Sequence, residues 1–237
     1  KKFNCKRMLS AIPKLFLYFI KSDSAAIISV IRDVNIVVAL STFTNRRKII
    51  FREANTFHLI EQLSIIKKIF YLKILKLAYK KSNQIIANSV DTKRDLIRFK
   101  VSDDKKIAVI HNPVIEPNAD RLIQQKIQHP WFSKQYCTLL SVGKLRIQKN
   151  YPLLLKAFSQ ISKERNDLRL IIIGDGPEKR NIISLIREFE IDEFVDIIPY
   201  VNNPYPYYKN TDCFVLTSDW EGFGNVVVEA LYAGAKV

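Results

Sequence analysis

Short apolar runs alternate with longer stretches of helical period along this chain. Runs rich in Ile, Val and Leu predict strands at 26–30, 36–40, 48–51, 84–87, 107–110, 138–142, 168–173, 195–198 and 213–216. Between them, helices are predicted near 5–20, 57–81, 90–99, 151–165, 177–190 and 225–234. Strands that are apolar on both faces, with helices between them, belong to parallel sheets covered on both sides. The fold class read from this pattern is α/β, doubly wound, with ligand sites at the carboxyl ends of the strands.

The pattern breaks at His111-Asn112-Pro113-Val114, and the next twenty or so residues hold Pro117, Asn118 and Pro130 without a strong strand. We place a domain boundary there, giving an N-terminal domain at 1–113 and a C-terminal domain at 114–237, with a linker to about 135. The chain starts Lys1-Lys2 and stops at Ala235-Lys236-Val237, where a further strand is expected to begin. It reads as an internal segment of a longer protein, with both domains incomplete.

Charge sharpens the division. Residues 1–110 hold 23 Lys/Arg and 8 Asp/Glu, whereas residues 111–237 hold 15 of each. The whole excess of +15 lies in the first half. A solvated basic face is one reading; attraction to an anionic membrane surface or to a phosphorylated acceptor is the other. Nucleic acid is the remaining and weaker reading, because no Arg/Lys stripe with interleaved aromatics and no nucleic-acid-binding motif appears. The predicted 57–81 helix carries Lys67, Lys68, Lys73, Lys76, Lys80 and Lys81. They spread round its circumference, so lysine stems lying along an ordinary packed surface is the preferred account. LFLYFI (15–20) is too short to span a bilayer. Cys5, Cys137 and Cys213 have no metal or redox spacing, and Cys213 is expected to be a buried thiol in a reducing compartment, the cytoplasm.

Four segments of the second half end a strand with polar chemistry. After 138–142 come Gly143, Lys144, Arg146 and Lys149, cations that suit a diphosphate or simply a solvated loop. After 168–173 come Gly174 and Gly176, a tight turn that by itself need only join strand to helix. After 195–198, the backbone at Tyr200 and Val201 suits a base edge, while Tyr205, Tyr207 and Tyr208 read as packing. The fourth segment runs from a strand through Glu221, Gly222, Phe223 and Gly224 into a helix that starts near Asn225 and carries Glu229 one turn in. Glycines let the backbone approach a ligand, and a helix start favours an anion. The carboxylates suit sugar hydroxyls; alternatively Glu229 serves the helix dipole and Glu221 is a surface acid. Phosphate and hydroxyls together describe a nucleotide sugar.

EGFGNVVVE (221–229) has two glutamates separated by seven residues, and in this it resembles the retaining glycosyltransferases of the GT-B fold, family 4. VGKLRIQKN (142–150), IIGDGPE (172–178) and TDCFVLTSDWEGFGNVVVEALYAG (211–234) are similar to family motifs. So are NQIIANSVDTKRDLIRF (83–99) and KIAVIHNPV (106–114), and the similarity is loose over 1–83. It implies two Rossmann-like domains facing a cleft, the C-terminal one holding a nucleotide-diphosphate sugar and the N-terminal one the acceptor. By the same resemblance Lys149 meets the diphosphate, Glu229 the ribose hydroxyls, and Glu221 the transferred sugar. Gly222, Phe223, Gly224 and Asn225 approach sugar and phosphate, with Gly143 and Gly174 beside them, and 199–201 meets the base. Glu221 and Lys149 are the catalytic candidates. Lys144 stands where the family commonly has Arg and loses the two-pronged donor geometry, which leaves Arg146 as a substitute. Arg52, Glu53 and His58 remain unassigned.

The implied reaction is transfer of a sugar, with retained configuration, from a nucleotide-diphosphate sugar, UDP by preference. The acceptor is a hydroxyl of a glycan or lipid-linked molecule at the inner face of a bacterial membrane, in polysaccharide or lipopolysaccharide synthesis. No cofactor and no metal are expected, since the cations take the metal's place. Three alternatives remain: a catalytically silent nucleotide-sugar-binding scaffold, a glycoside hydrolase using Glu221 and Glu229, and a basic nucleic-acid module.

Overall fold

In the first half, β-branched runs build strands β1 (Ala26–Val30), β2 (Lys48–Glu53), β3 (Gln84–Ala87) and β4 (Ile107–Val109), all parallel and adjacent in chain order. These coordinates are a computed structural model, which describes residues 10–42 and 47–237. The chain forms two compact units: Lys1–Asn112 with Glu221–Phe223, and Pro113–Trp220 with Gly224–Val237.

Parallel neighbours need a crossover between them. The expected strand at 36–40 is therefore corrected: it lies within a helix, Arg32–Ser41, which carries the chain from β1 to β2. A short apolar run reads the same in a buried helix as in a strand, and here Val37, Val38 and Ala39 face the core while Val34 and Leu40 are exposed. Numbered in order, the helices of the first unit are α1 (Ile12–Lys21), α2 (Arg32–Ser41), α3 (His58–Glu61), α4 (Ile65–Lys80) and α5 (Val90–Arg98). The expected helix at 57–81 is thus two, broken between Gln62 and Ser64. Pro13 falls in the first turn of α1, where its missing N–H costs nothing; the part of the expected helix at 5–9 lies outside the described residues.

The first unit's core is Phe51, Phe57, Leu75, Tyr79, Ile85 and Leu96, with a polar knot at the carboxyl end of β2. Glu53 is buried there, and its Oε2 accepts from Arg32 Nε at 2.7 Å. Arg32 also donates to the Asn55 carbonyl and lies over the Phe57 ring at 3.9 Å. Tyr79 Oη accepts from Asn35 Nδ2 at 2.9 Å. Burial raises the Glu53 carboxyl above its ordinary range, against the opposing pull of Arg32.

The second unit holds β5 (Cys137–Val142), β6 (Leu168–Ile173), β7 (Val195–Ile198) and β8 (Cys213–Phe214), in the order β7-β6-β5-β8 and all parallel. Its helices are α6 (Ala119–Ile123), α7 (Tyr151–Ser162), α8 (Lys179–Glu188), α9 (Tyr205–Asn210) and α10 (Asn225–Tyr232). Two of these were not expected: α6 lies within the linker and α9 is the YPYYKN segment. Residues Leu170 to Ile173 of β6 are fully enclosed between the flanking layers. The register pairs Val142 with Ile173 and Ile173 with Ile198, so the carboxyl ends of β5, β6 and β7 lie level. β8 is shorter than expected, and Cys213 on it is half-buried rather than buried. The chain's last residues run beside it, where the Lys236 carbonyl accepts from the Phe214 N–H at 2.7 Å.

Candidate functional site

Strand order reverses between β5 and β8, and such a switch point leaves a crevice at the carboxyl ends of the strands. A cavity of about 490 Å³ lies there, walled by residues that follow three level strands and by α10. β5 contributes Val142, Gly143 and Lys144; β6 contributes Ile173, Gly174 and Asp175. The segment after β7 contributes Tyr200, Val201 and Asn202, and α10 contributes Val226 and Glu229.

Two loops meet here backbone to backbone. Gly143 N–H donates to the Ile173 carbonyl, and Leu145 N–H to the Asp175 carbonyl. Gly174 has φ of +153°, and a Cβ on it would fall 1.9 Å from the Gly143 carbonyl oxygen. Glycine is therefore required by this contact, beyond merely joining strand to helix. Lys149 ends a short turn, Ile147–Lys149, and its Cε lies 3.0 Å from where a Cβ on Gly143 would stand. Asn150 caps α7 from a left-handed conformation by accepting from Leu153 N–H, which fixes where that turn stops.

The 146–150 segment is laced to 217–220. Asp219 N–H donates to the Gln148 carbonyl, Gln148 Nε2 to the Trp220 carbonyl at 2.7 Å, and Thr217 Oγ1 to the Lys149 carbonyl at 3.0 Å. Gly224 follows at φ +76° as the N-cap of α10, a conformation that favours glycine. It brings no side-chain cap to the first-turn N–H groups of that helix.

Glu229 is half-buried, and its Oε2 accepts from Tyr208 Oη at 3.0 Å. Burial raises its carboxyl above the ordinary glutamate range; the Tyr208 hydrogen bond works against that, and the charge of Glu116 adds to it. Burial and the facing carboxylate push the Tyr208 hydroxyl far up, so it stays a donor. Tyr208 is fully buried, so the packing expected of it is real, but it also fixes the acid.

Of the residues singled out in the sequence, Gly143, Lys144, Gly174, Tyr200, Val201 and Glu229 line one cavity. Lys149 stands beside it at Gly143, while Arg146 is exposed. Gly224 and Asn225 start α10 without lining the wall. Glu221, Gly222 and Phe223 group with the first unit, where the Phe223 ring stacks on His111 at 5.0 Å. Arg52 there bonds the Asn112 side chain and His58 contacts Gln62. Glu116, Asp175 and Asn202 also line the cavity. No sequence signal points to Glu116, which sits in the stretch read as a linker.

Residues 123–237 match the sequence profile described as glycosyl transferases group 1. Residues 123–237 of this chain therefore belong to the glycosyl transferases group 1 family. A Campylobacter jejuni relative is named N-acetylgalactosamine-N,N'-diacetylbacillosaminyl-diphospho-undecaprenol 4-alpha-N-acetylgalactosaminyltransferase. It is 27% identical over 195 residues, covering 82% of this chain and 51% of that protein. An uncharacterized glycosyltransferase of Methanocaldococcus jannaschii is 30% identical over 180 residues, covering 70% of this chain and 42% of that one. This chain therefore spans about half the length, or less, of these relatives. Among solved structures, Anabaena HepE in complex with UDP and glucose superposes with a TM-score of 0.74 at 19% identity, over 95% of this chain and 61% of that one. S. aureus TarM, in a complex that contains UDP, gives 0.72 at 19% identity, over 94% and 43%. The two parallel-sheet α/β units are those of the GT-B glycosyltransferase fold.

Proposed function

We propose that this chain is the donor-binding and part of the acceptor-binding portion of a retaining glycosyltransferase. It moves a sugar from a nucleotide-diphosphate sugar, UDP-linked, to a hydroxyl of a glycan or lipid-linked acceptor in bacterial cell-surface polysaccharide or glycoconjugate synthesis. The observation that carries this reading is the switch-point cavity, lined by Lys144 after β5 and by Glu229 of α10. The undecaprenol-linked substrate in the name of the Campylobacter relative and the UDP in the HepE complexes favour the acceptor and donor classes. The basic first half suits peripheral contact with an anionic membrane, on its cytoplasmic face.

The chemistry separates charge: the bond from anomeric carbon to diphosphate oxygen breaks, leaving a cationic sugar and an anionic leaving group. Lys144, Lys149 and the uncapped first turn of α10 offset that charge without a metal. Glu229 accepts the ribose hydroxyls, and Tyr200 and Val201 meet the base. Glu221 is assigned to the transferred sugar.

Glu229→Ala tests the reading. Hydrogen bonds to a charged group contribute about 2 kcal/mol, so UDP affinity measured by calorimetry should fall roughly thirtyfold. Unchanged affinity removes the ribose role, and with it the cavity as donor site.

Protonation should have the same effect. The raised Glu229 carboxyl loses its charge at higher pH than an ordinary glutamate, so UDP binding should weaken as pH falls through that point. Tyr208→Phe removes the opposing hydrogen bond. It should weaken binding about fivefold, for about 1 kcal/mol, and move the midpoint of the pH profile upward. A purely structural tyrosine would leave that midpoint in place.

A further inference from the structure

We propose that the outward face of α4 docks on an anionic lipid bilayer, with its apolar side chains set into the headgroup boundary. This deepens the membrane contact read from net charge and depends on no property of the donor cavity. α4 reads IIKKIFYLKILKLAYK, with five lysines and no acid. Its inner face buries Leu75, Ala78 and Tyr79 in the first unit's core. Its outer face is also apolar: Ile66 (83% exposed), Phe70 (66%) and Leu77 (65%) share one stripe with Lys73, at spacings of four, three and four, and Ile69 flanks it at 55%. Lys68 lies over the Phe99 ring at 5.2 Å, in keeping with the expected packing of lysine stems, but the stripe itself is different. Whole aliphatic and aromatic side chains stand outward, interleaved with lysines.

A helix that is apolar all round is ordinarily enclosed by protein or lipid. Here half the girdle has no protein cover among the described residues, and the charges around it are of one sign. That combination fits an interfacial helix on anionic lipid, where apolar burial and lysine attraction act together. Neighbouring α1 repeats the chemistry. It packs, like α4, on α2, exposes Leu17, Tyr18 and Ile20, and carries Lys14 and Lys21 without an acid. Among the described residues no helix is long and apolar enough to cross a membrane, so the contact is with one face of the bilayer.

Flotation of the chain with phosphatidylethanolamine–phosphatidylglycerol vesicles tests this, with phosphatidylcholine vesicles as the comparison. The wild-type chain should float with the anionic vesicles only. The triple variant Ile66→Ser/Phe70→Ser/Leu77→Ser alters exposed positions and should keep its circular dichroism spectrum while partitioning at least tenfold less. Lys67→Gln/Lys73→Gln/Lys80→Gln should lower partitioning roughly fivefold per lysine. Failure of the wild type to float, equal flotation of the serine variant, or equal binding to neutral vesicles overturns the proposal. So does light scattering that finds a lipid-free dimer abolished by the serines, since a second copy would then be the occupant. A UDP thermal shift on the same samples keeps the two readings apart: vesicle binding without a UDP shift fails only the donor site.

Discussion

Replacing Lys149 by alanine is expected to lower turnover roughly a hundredfold while leaving the unfolding midpoint nearly unchanged. The side chain reaches Gly143 at the carboxyl end of β5, where leaving-group charge would appear. A donor preorganised for transition-state charge contributes about 3 kcal/mol when desolvated. Because that charge builds only as the glycosidic bond breaks, the loss should fall on kcat more than on KM for the donor. Lys149 belongs to none of the buried apolar clusters, so the loss of stability should be small beside the loss of turnover. Steady-state release of UDP checks the first part and thermal denaturation the second. A normal kcat would remove Lys149 from the site, and a collapse of stability would make it a structural residue.

Arg32→Ala should cost about 3–5 kcal/mol of stability, because it strands a buried carboxylate. Glu53 is 1% exposed and its guanidinium partner reaches it at 2.7 Å. Its raised carboxyl already shows burial outweighing the pairing. Without Arg32 the native state binds that proton more tightly still, relative to the unfolded chain. The stability deficit should therefore grow as pH rises above the ordinary glutamate range and shrink in acid. Glu53→Gln in the Arg32→Ala background should recover part of the loss. Trp131 and Trp220 both lie in the second unit, so the urea midpoint seen by circular dichroism should fall ahead of the one seen by tryptophan fluorescence. Coincident, unshifted midpoints would contradict the account.

The second unit was legible because its signals are local. β5, β6 and β7 are short runs rich in apolar residues, each followed within a few residues by the glycine, cation or tyrosine that lines the cavity. The level carboxyl ends of those strands gather such residues by topology alone. Tyr208 was read as packing because a buried aromatic has the same sequence signature whether or not its hydroxyl meets an acid 21 residues away. Arg32 and Glu53 are likewise 21 residues apart, and nothing periodic links them. The 36–40 run was misread for another reason: helix and strand are distinguished there by the need for a crossover between parallel β1 and β2, which is a property of the pairing and not of the run. Glu116 was hidden by its proline-flanked surroundings, which look like linker.

The backbone contact between Gly174 and the Gly143 carbonyl divides the cavity into two kinds of wall. One side is main chain against main chain at closest approach, so it cannot drift without displacing both loops together. The other, lined by Tyr200, Asn202 and Glu116, has no such glycine contact and is exchangeable one position at a time. Descendants of this scaffold should therefore keep their grip on the invariant part of a ligand while altering its variable part, with new preferences arising at 116 and 200–202 rather than at the glycines.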